Sequence, residues 1–296
     1  MSAPKNPTPT PPSPTRLRQI ALVAADLERA RHLLTTVIGT EVIFEDPAVG
    51  QWGLKNILVP IGGDIIEVVS PFRTDTPASR QLSKRGDGEY MIIMQTLDAK
   101  ARKEYIERNS LAKVIFCHKL EDSICIQYHP KGITGGVIPE LDSHHFSSSN
   151  TNPLVDRFSP WHAAGPAFTY PKYSASMKRY KELHLLSATL RLAPGDHGVG
   201  AAAKQWEDVF GVQRCKREGE IEFTNAKMGF LPGEQGKSEG IVEIAIGVEG
   251  REGLNGIYTR ARKEGLKVDD KGHVDMLGVR WRFLWLGGEN GIRPRL

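Results

Sequence analysis

Glu67 sits in the stretch DIIEVVS, with Ile65 and Val69 on its own strand face. A carboxylate buried there without a partner is costly, so it calls for a cation, a hydrogen-bond donor or water. Glu140, in GVIPELD, repeats the situation nearer a strand end, where water is closer at hand. Gln19 heads the apolar strand QIALVA, either as a solvated strand end or as a side chain pointing into a cleft. Asn56, in GLKNILVP, is a substrate donor or a strand-edge amide. His129, in IQYHPKG, is a strand-end residue or a general acid at the mouth of a cleft. Trp52 and Tyr90 are candidate walls, since aromatics line small-molecule pockets. Cys117 and Cys125 lie in apolar strands and read as packing, and His144 and His145 read as solvated.

These residues need a scaffold, and the sequence supplies one in repeats. Ile20, Leu22 and Ala24 alternate along the first strand, Asp26 stands at an N-cap, and Leu27, Ala30, Leu34 and Val37 recur at helical spacing up to Gly39. EVIFE, GLKNILVP and DIIEVVSP then read as strands, so the order is β-α-β-β-β. EYMIIMQT opens a second copy, HLLSATLRLA a third and GIVEIAIGV a fourth. One helix per three or four strands, with hairpin-like GG and PGEQG turns, predicts an α+β fold rather than a doubly wound parallel sheet.

Residues 1–15 hold six prolines and read as a flexible tail without the apolar middle of a secretion signal. The organisation predicted is that tail, a first domain over 16–142, a connector over 143–182 and a second domain over 183–296. The connector carries Phe158, Trp161, Phe168, Tyr170 and Tyr173, more aromatics than a free linker needs, and is expected to pack on both domains. A net charge of +4 with bases and acids interleaved argues against nucleic-acid binding. No apolar run reaches a membrane span, and three cysteines without a CxxC pair fit a reducing, cytoplasmic setting.

The tandem β-α-β-β-β order, with QIALVAADLERA, IIEVVSP, KRGDGEYM and HPKGITGGVIPEL, resembles the vicinal oxygen chelate superfamily, which includes glyoxalase I, methylmalonyl-CoA epimerase, extradiol dioxygenases and bleomycin-resistance proteins. The resemblance is clear over residues 16–142 and rests mainly on strand-helix layout over 183–287. It implies four modules paired into two open, cupped mixed sheets, with ligands from the first and last strands of each module. Carried over, those positions are Gln19, Glu67, Met91 and Glu140. Met91 replaces the imidazole of the epimerase-like pattern, and a thioether suits Cu(I) better than harder ions. Gln19, Glu67 and Glu140 then remain as oxygen ligands for a divalent ion (Mn, Mg, Co, Ni or Zn), and Met91 becomes a cup-lining contact for substrate or a core plug.

The activity so implied is a glyoxalase-like lyase or isomerase. A metal stabilises an enediolate while Glu67 or Glu140 shuttles a proton. The alternative is a metal-free cup that binds and sequesters a small molecule, as in the bleomycin-resistance branch. A dioxygenase would need two histidines and a carboxylate, which neither cup supplies. The second half keeps no ligand set: Thr189 or Arg191, Met228, Val242 or Glu243 and an aromatic of RWRFLWL occupy its corresponding positions. Two complete cups in one chain predict a monomer or weak homodimer acting on a small molecule.

Overall fold

The computed structural model describes residues 13–287. Its first half runs β1 (Thr15–Val23), α1 (Leu27–Leu33), β2 (Leu54–Ile61), β3 (Asp64–Pro71), α2 (Pro77–Arg85), β4 (Gly88–Thr96), α3 (Ala99–Arg108), β5 (Val114–Lys119), β6 (Ser123–Tyr128) and β7 (Ile138–His144). After α4 (Tyr170–Arg179) come β8 (Leu183–Arg191), α5 (Val199–Phe210), β9 (Gln213–Arg214), β10 (Glu220–Glu222), β11 (Lys227–Leu231), β12 (Gly240–Glu249), α6 (Arg251–Lys263), β13 (His273–Met276) and β14 (Val279–Leu286). Each half folds its strands into one seven-stranded mixed sheet, in the orders β2-β3-β1-β4-β7-β6-β5 and β13-β14-β12-β8-β11-β10-β9. This is the α+β architecture with two cupped sheets that the sequence predicts.

Two modules are one strand short. EVIFE forms only a bridge from Phe44 to Leu58. The Asp46 cap and Pro47, which has no N–H to give a ladder, turn the chain into a 3₁₀ segment over 47–52. The three-stranded module leads in the first half and follows in the second, so the strand orders coincide when β12 is matched to β1 and β8 to β4. The expected tail also ends early. Residues 1–12 lie outside the described residues, but Thr15 is buried at the start of β1, and the Ser13 N–H donates to the Gly211 carbonyl at 3.1 Å.

β1 is buried on both faces. Ile20 and Leu22 face the helices in a core that continues into the second half through Trp206, Phe210 and Ile246. The other face carries Gln19 and Ala21. There Ala21, Leu58, Ile65, Met91 and Ile93 pack against Trp161, Tyr170, Tyr173 and Met177, so the connector packs into the hollow of the first sheet and leaves Tyr90 half-buried at its rim.

The halves also finish each other's helices. α1 runs on as a π-helical turn to Ile38, and Gly39 leaves it at φ 85°. The free carbonyls of Val37 and Ile38 accept from Arg260 of α6 at 3.1 and 3.2 Å. At the end of α5, Arg102 of α3 donates to the carbonyls of Val209, Glu207 and Asp208 at 2.8, 3.2 and 2.6 Å. A guanidinium at the negative end of a helix satisfies orphan carbonyls and the dipole together.

Candidate functional site

The strand registers place the predicted residues at matching levels. Glu67 lies beside Ala21 and two residues along from Gln19, and Glu140 lies beside Ile93 and two residues along from Met91. Glu67 is buried and held from two sides: Gln19 Nε2 donates to its Oε2 at 2.8 Å, and Asn56 Nδ2 donates to its Oε1 at 2.6 Å. Both amides are themselves oriented, because the Trp161 indole N–H donates to Gln19 Oε1 at 2.9 Å and the Asp46 N–H donates to Asn56 Oδ1 at 2.8 Å. These bonds favour the carboxylate, yet burial outweighs them and pushes Glu67 up to about 7, with the Glu140 charge adding to the shift.

A raised carboxyl disfavours the charged folded form, so its effect on stability has a definite sign. Between its ordinary value of 4.5 and about 7 the native state holds a proton that the unfolded chain has released. Stability therefore falls as pH rises through this window, by up to roughly 3 kcal/mol. Denaturation midpoints from pH 4.5 to 7.5 for the wild type and Glu67→Gln check this: the slope should flatten in the variant, and an unchanged slope places the titration elsewhere.

The ligand set carried over from the resemblance does not fit a cation here. The Gln19 oxygen is taken by the Trp161 indole, and amide N–H groups face Glu67 where a metal would sit. Asn56, expected to meet substrate, spends its amide on Glu67 and Asp46 instead. Met91 packs in the cluster that holds Trp161, as a core side chain.

Glu140 belongs to a different group, on β7, which β1 and β4 separate from the strand of Glu67. Cys125, Glu140, Asp142 and His162 bring one ligand atom each to within 4.8 Å of one another. Burial, reinforced by the Glu140 charge, holds Asp142 well above the usual carboxylate range, and burial raises Glu140 too. Gln127 Nε2 donates to Glu140 Oε2 at 2.7 Å. His144 is buried and His162 half-buried, and loss of hydration lowers each to about 3, so both are neutral imidazoles. The expectation that His144 is solvated therefore fails: β7 runs on to it, and the connector folds over it.

No family model matches the chain. No curated protein matches it either. A hypothetical protein from Staphylococcus aureus has a similar solved structure at a TM-score of 0.57 and 11% identity, covering 92% of this chain and 100% of that one. The likeness spans both sheets and shows the fold. Methylmalonyl-CoA epimerase from Streptomyces coelicolor aligns at a TM-score of 0.40 and 23% identity, over 45% of this chain and 99% of that one. A hypothetical protein from Bacillus halodurans gives 0.40 and 17%, over 46% of this chain and 99% of that one.

Other predicted residues lie around the same hollow or apart from it. Tyr90 is half-buried, and burial with the nearby Glu67 charge pushes its hydroxyl up to about 12. Trp52 is 40% exposed and meets Phe116 edge-on at 5.3 Å, which brings the segment before β2 against β5, the opposite edge of the sheet. His129 was expected either at a strand end or at the mouth of the cleft. It follows the end of β6, and its Nδ1 accepts from the Lys131 N–H at 2.9 Å within its own turn. Trp161, His162, Cys125 and Asp142 were not singled out as site residues by sequence reasoning. The aromatic density of the connector was the available signal for the first two.

The second sheet presents an open cavity of about 810 Å³, lined by Arg85 and Glu89 from the first half and by Thr189, Arg191, Glu243 and Arg280. Met228, matched to Glu67 by sequence, faces the helical core instead. Among the described residues, no helix is long and apolar enough to cross a membrane.

Proposed function

We propose that the first hollow is an acid–base site for a small carbonyl compound, acting as an isomerase or lyase of the glyoxalase kind with Glu67 as the proton carrier. The observation that supports this reading is the carboxyl of Glu67, oriented by Gln19 and Asn56 and held at about 7. A group half-ionised near neutrality can take a proton from the carbon beside a carbonyl and return it. Tyr90, kept protonated by burial and by the Glu67 charge, is the neutral donor available to the oxyanion that develops. The divalent ion of the resemblance has no part in this scheme, because the donors facing Glu67 are N–H groups.

Exchange of the carbon-bound proton tests the proposal. The protein is incubated in D₂O with compounds bearing an acidic C–H beside a carbonyl, and deuterium uptake is followed by NMR. Glu67→Gln, folded by circular dichroism, should slow exchange by about 10²–10⁴-fold. Equal rates in the two proteins would sink the assignment of Glu67. Binding without exchange in either protein favours the second reading, a sequestering cup, which the aromatic pair Trp52 and Phe116 at the sheet edges supports.

A further inference from the structure

We propose that Cys125, Glu140, Asp142 and His162 form a zinc site that fastens the connector to the first sheet. The inference does not rest on the acid–base reading, since Glu67 is not among the ligands.

The strands bring three of the ligands together. Cys125 pairs with Asp142, and Gln127 pairs with Glu140, across β6 and β7. Cys125, Glu140 and Asp142 therefore share one face, because residues two apart on a strand point the same way. His162 comes from the connector and lays its Nε2 3.4 Å from Asp142 Oδ2. Two ligands on a tetrahedral ion with bonds of about 2.0–2.3 Å lie about 3.3–3.7 Å apart.

The hydrogen bonds fix which nitrogen of the His162 ring is free to accept a ligand. The His162 backbone N–H donates to His144 Nε2 at 3.2 Å, so that nitrogen is an acceptor. His162 Nδ1, also 3.2 Å from it, then carries the ring proton and donates. His162 Nε2 is left as a bare lone pair. Its neighbour Asp142 Oδ2 is fully buried and has no hydrogen-bond partner, while Oδ1 accepts the Ile126 N–H at 3.2 Å. A cation between them satisfies the ring nitrogen and the orphaned oxygen together.

The donors choose the metal. A thiolate and an imidazole with two carboxylate oxygens suit Zn²⁺, whereas Mg²⁺ and Mn²⁺ favour oxygen ligands alone. Four protein ligands close the shell, which marks a structural site. His144 supports it from behind: its Nε2 orients the liganding ring, and its Nδ1 lies 3.7 Å from Asp122 Oδ2. Zinc binding expels the Cys125 thiol proton to water, with no change of oxidation state.

The test is zinc content by mass spectrometry, with zinc-edge X-ray absorption, on untagged full-length protein purified without chelator. About one zinc per chain is expected, with one sulfur at about 2.3 Å and nitrogen or oxygen at about 2.0 Å. Cys125→Ser and His162→Ala should lose the metal, His144→Ala should bind about 10–100-fold more weakly, and Glu67→Gln should keep it. Protein that lacks zinc and takes up none when an equivalent is added overturns the proposal, leaving a carboxyl pair that shares a proton. So does zinc without a sulfur neighbour, or zinc lost in Glu67→Gln and kept in Cys125→Ser, which returns the ion to the position implied by the resemblance. If the ligand variants fail to fold, the absorption spectrum of the wild type decides alone.

Discussion

Trp161→Ala is expected to destabilise the protein by about 3–5 kcal/mol, near the upper end for removal of a buried aromatic. The ring is fully buried in the hollow of the first sheet, and its indole N–H holds the Gln19 oxygen. It also lies under the Arg18 guanidinium at 5.2 Å and beside the His162 ring at 4.9 Å. Alanine therefore opens a cavity, leaves a buried carbonyl oxygen without its donor and frees the Gln19 amide to rotate away from Glu67. Trp161→Phe keeps most of the volume and should lose about 1–3 kcal/mol, chiefly for the unsatisfied oxygen. Urea midpoints with unchanged slopes measure both. A loss below about 1 kcal/mol for alanine would mean that the connector only lies on the sheet and does not complete it.

Asp64→Ala should cost a comparable amount, about 3–5 kcal/mol, because it leaves a buried charge without its partner. Arg16 and Asp64 are 3% and 5% exposed at their side chains and approach to 2.8 Å. Arg16 also donates to the carbonyls of Asp156 and Arg157 at 3.1 and 2.9 Å, and Asn225 of the second half donates to Asp64 Oδ2 at 3.1 Å. The ion pair thus joins β1, β3, the connector and the opposite half. The loss should change little between low and high salt, since a buried pair is poorly screened. A loss under about 1 kcal/mol that vanishes at high salt would identify an ordinary surface pair and defeat the argument.

The fold was legible because its signals are local. Alternation along QIALV, the Asp26 cap and the glycines at 39 and 211 each follow from backbone chemistry within a few residues. Glu67 stood out for a similar reason, as a charge within an apolar strand. Its partners were legible as polar residues, but their roles were not: whether Gln19 meets a metal, a substrate or an indole depends on what covers the sheet. The cover comes from a Ser- and Pro-rich segment without periodicity, so nothing in its spacing announced Trp161 or His162. Cys125 looked like packing because its strand is apolar, and only the pairing of β6 with β7 sets it against Asp142. The missing strand of the first module was hidden by EVIFE, whose pattern suits a strand until Pro47 diverts it.

The crossed arginines, Arg102 on the end of α5 and Arg260 on the end of α1, bear on how such a chain can change over generations. A helix whose last turn is closed from the other half cannot be inherited apart from it. Recombination that swaps one half for a relative's would deliver two helices with open ends and two cations facing nothing. The glycines that admit those side chains are constrained in the same way, for a methyl group at Gly39 would stand 2.9 Å from the Arg260 guanidinium. A change at Arg102 or Arg260 in one half is thereby felt at a helix end in the other.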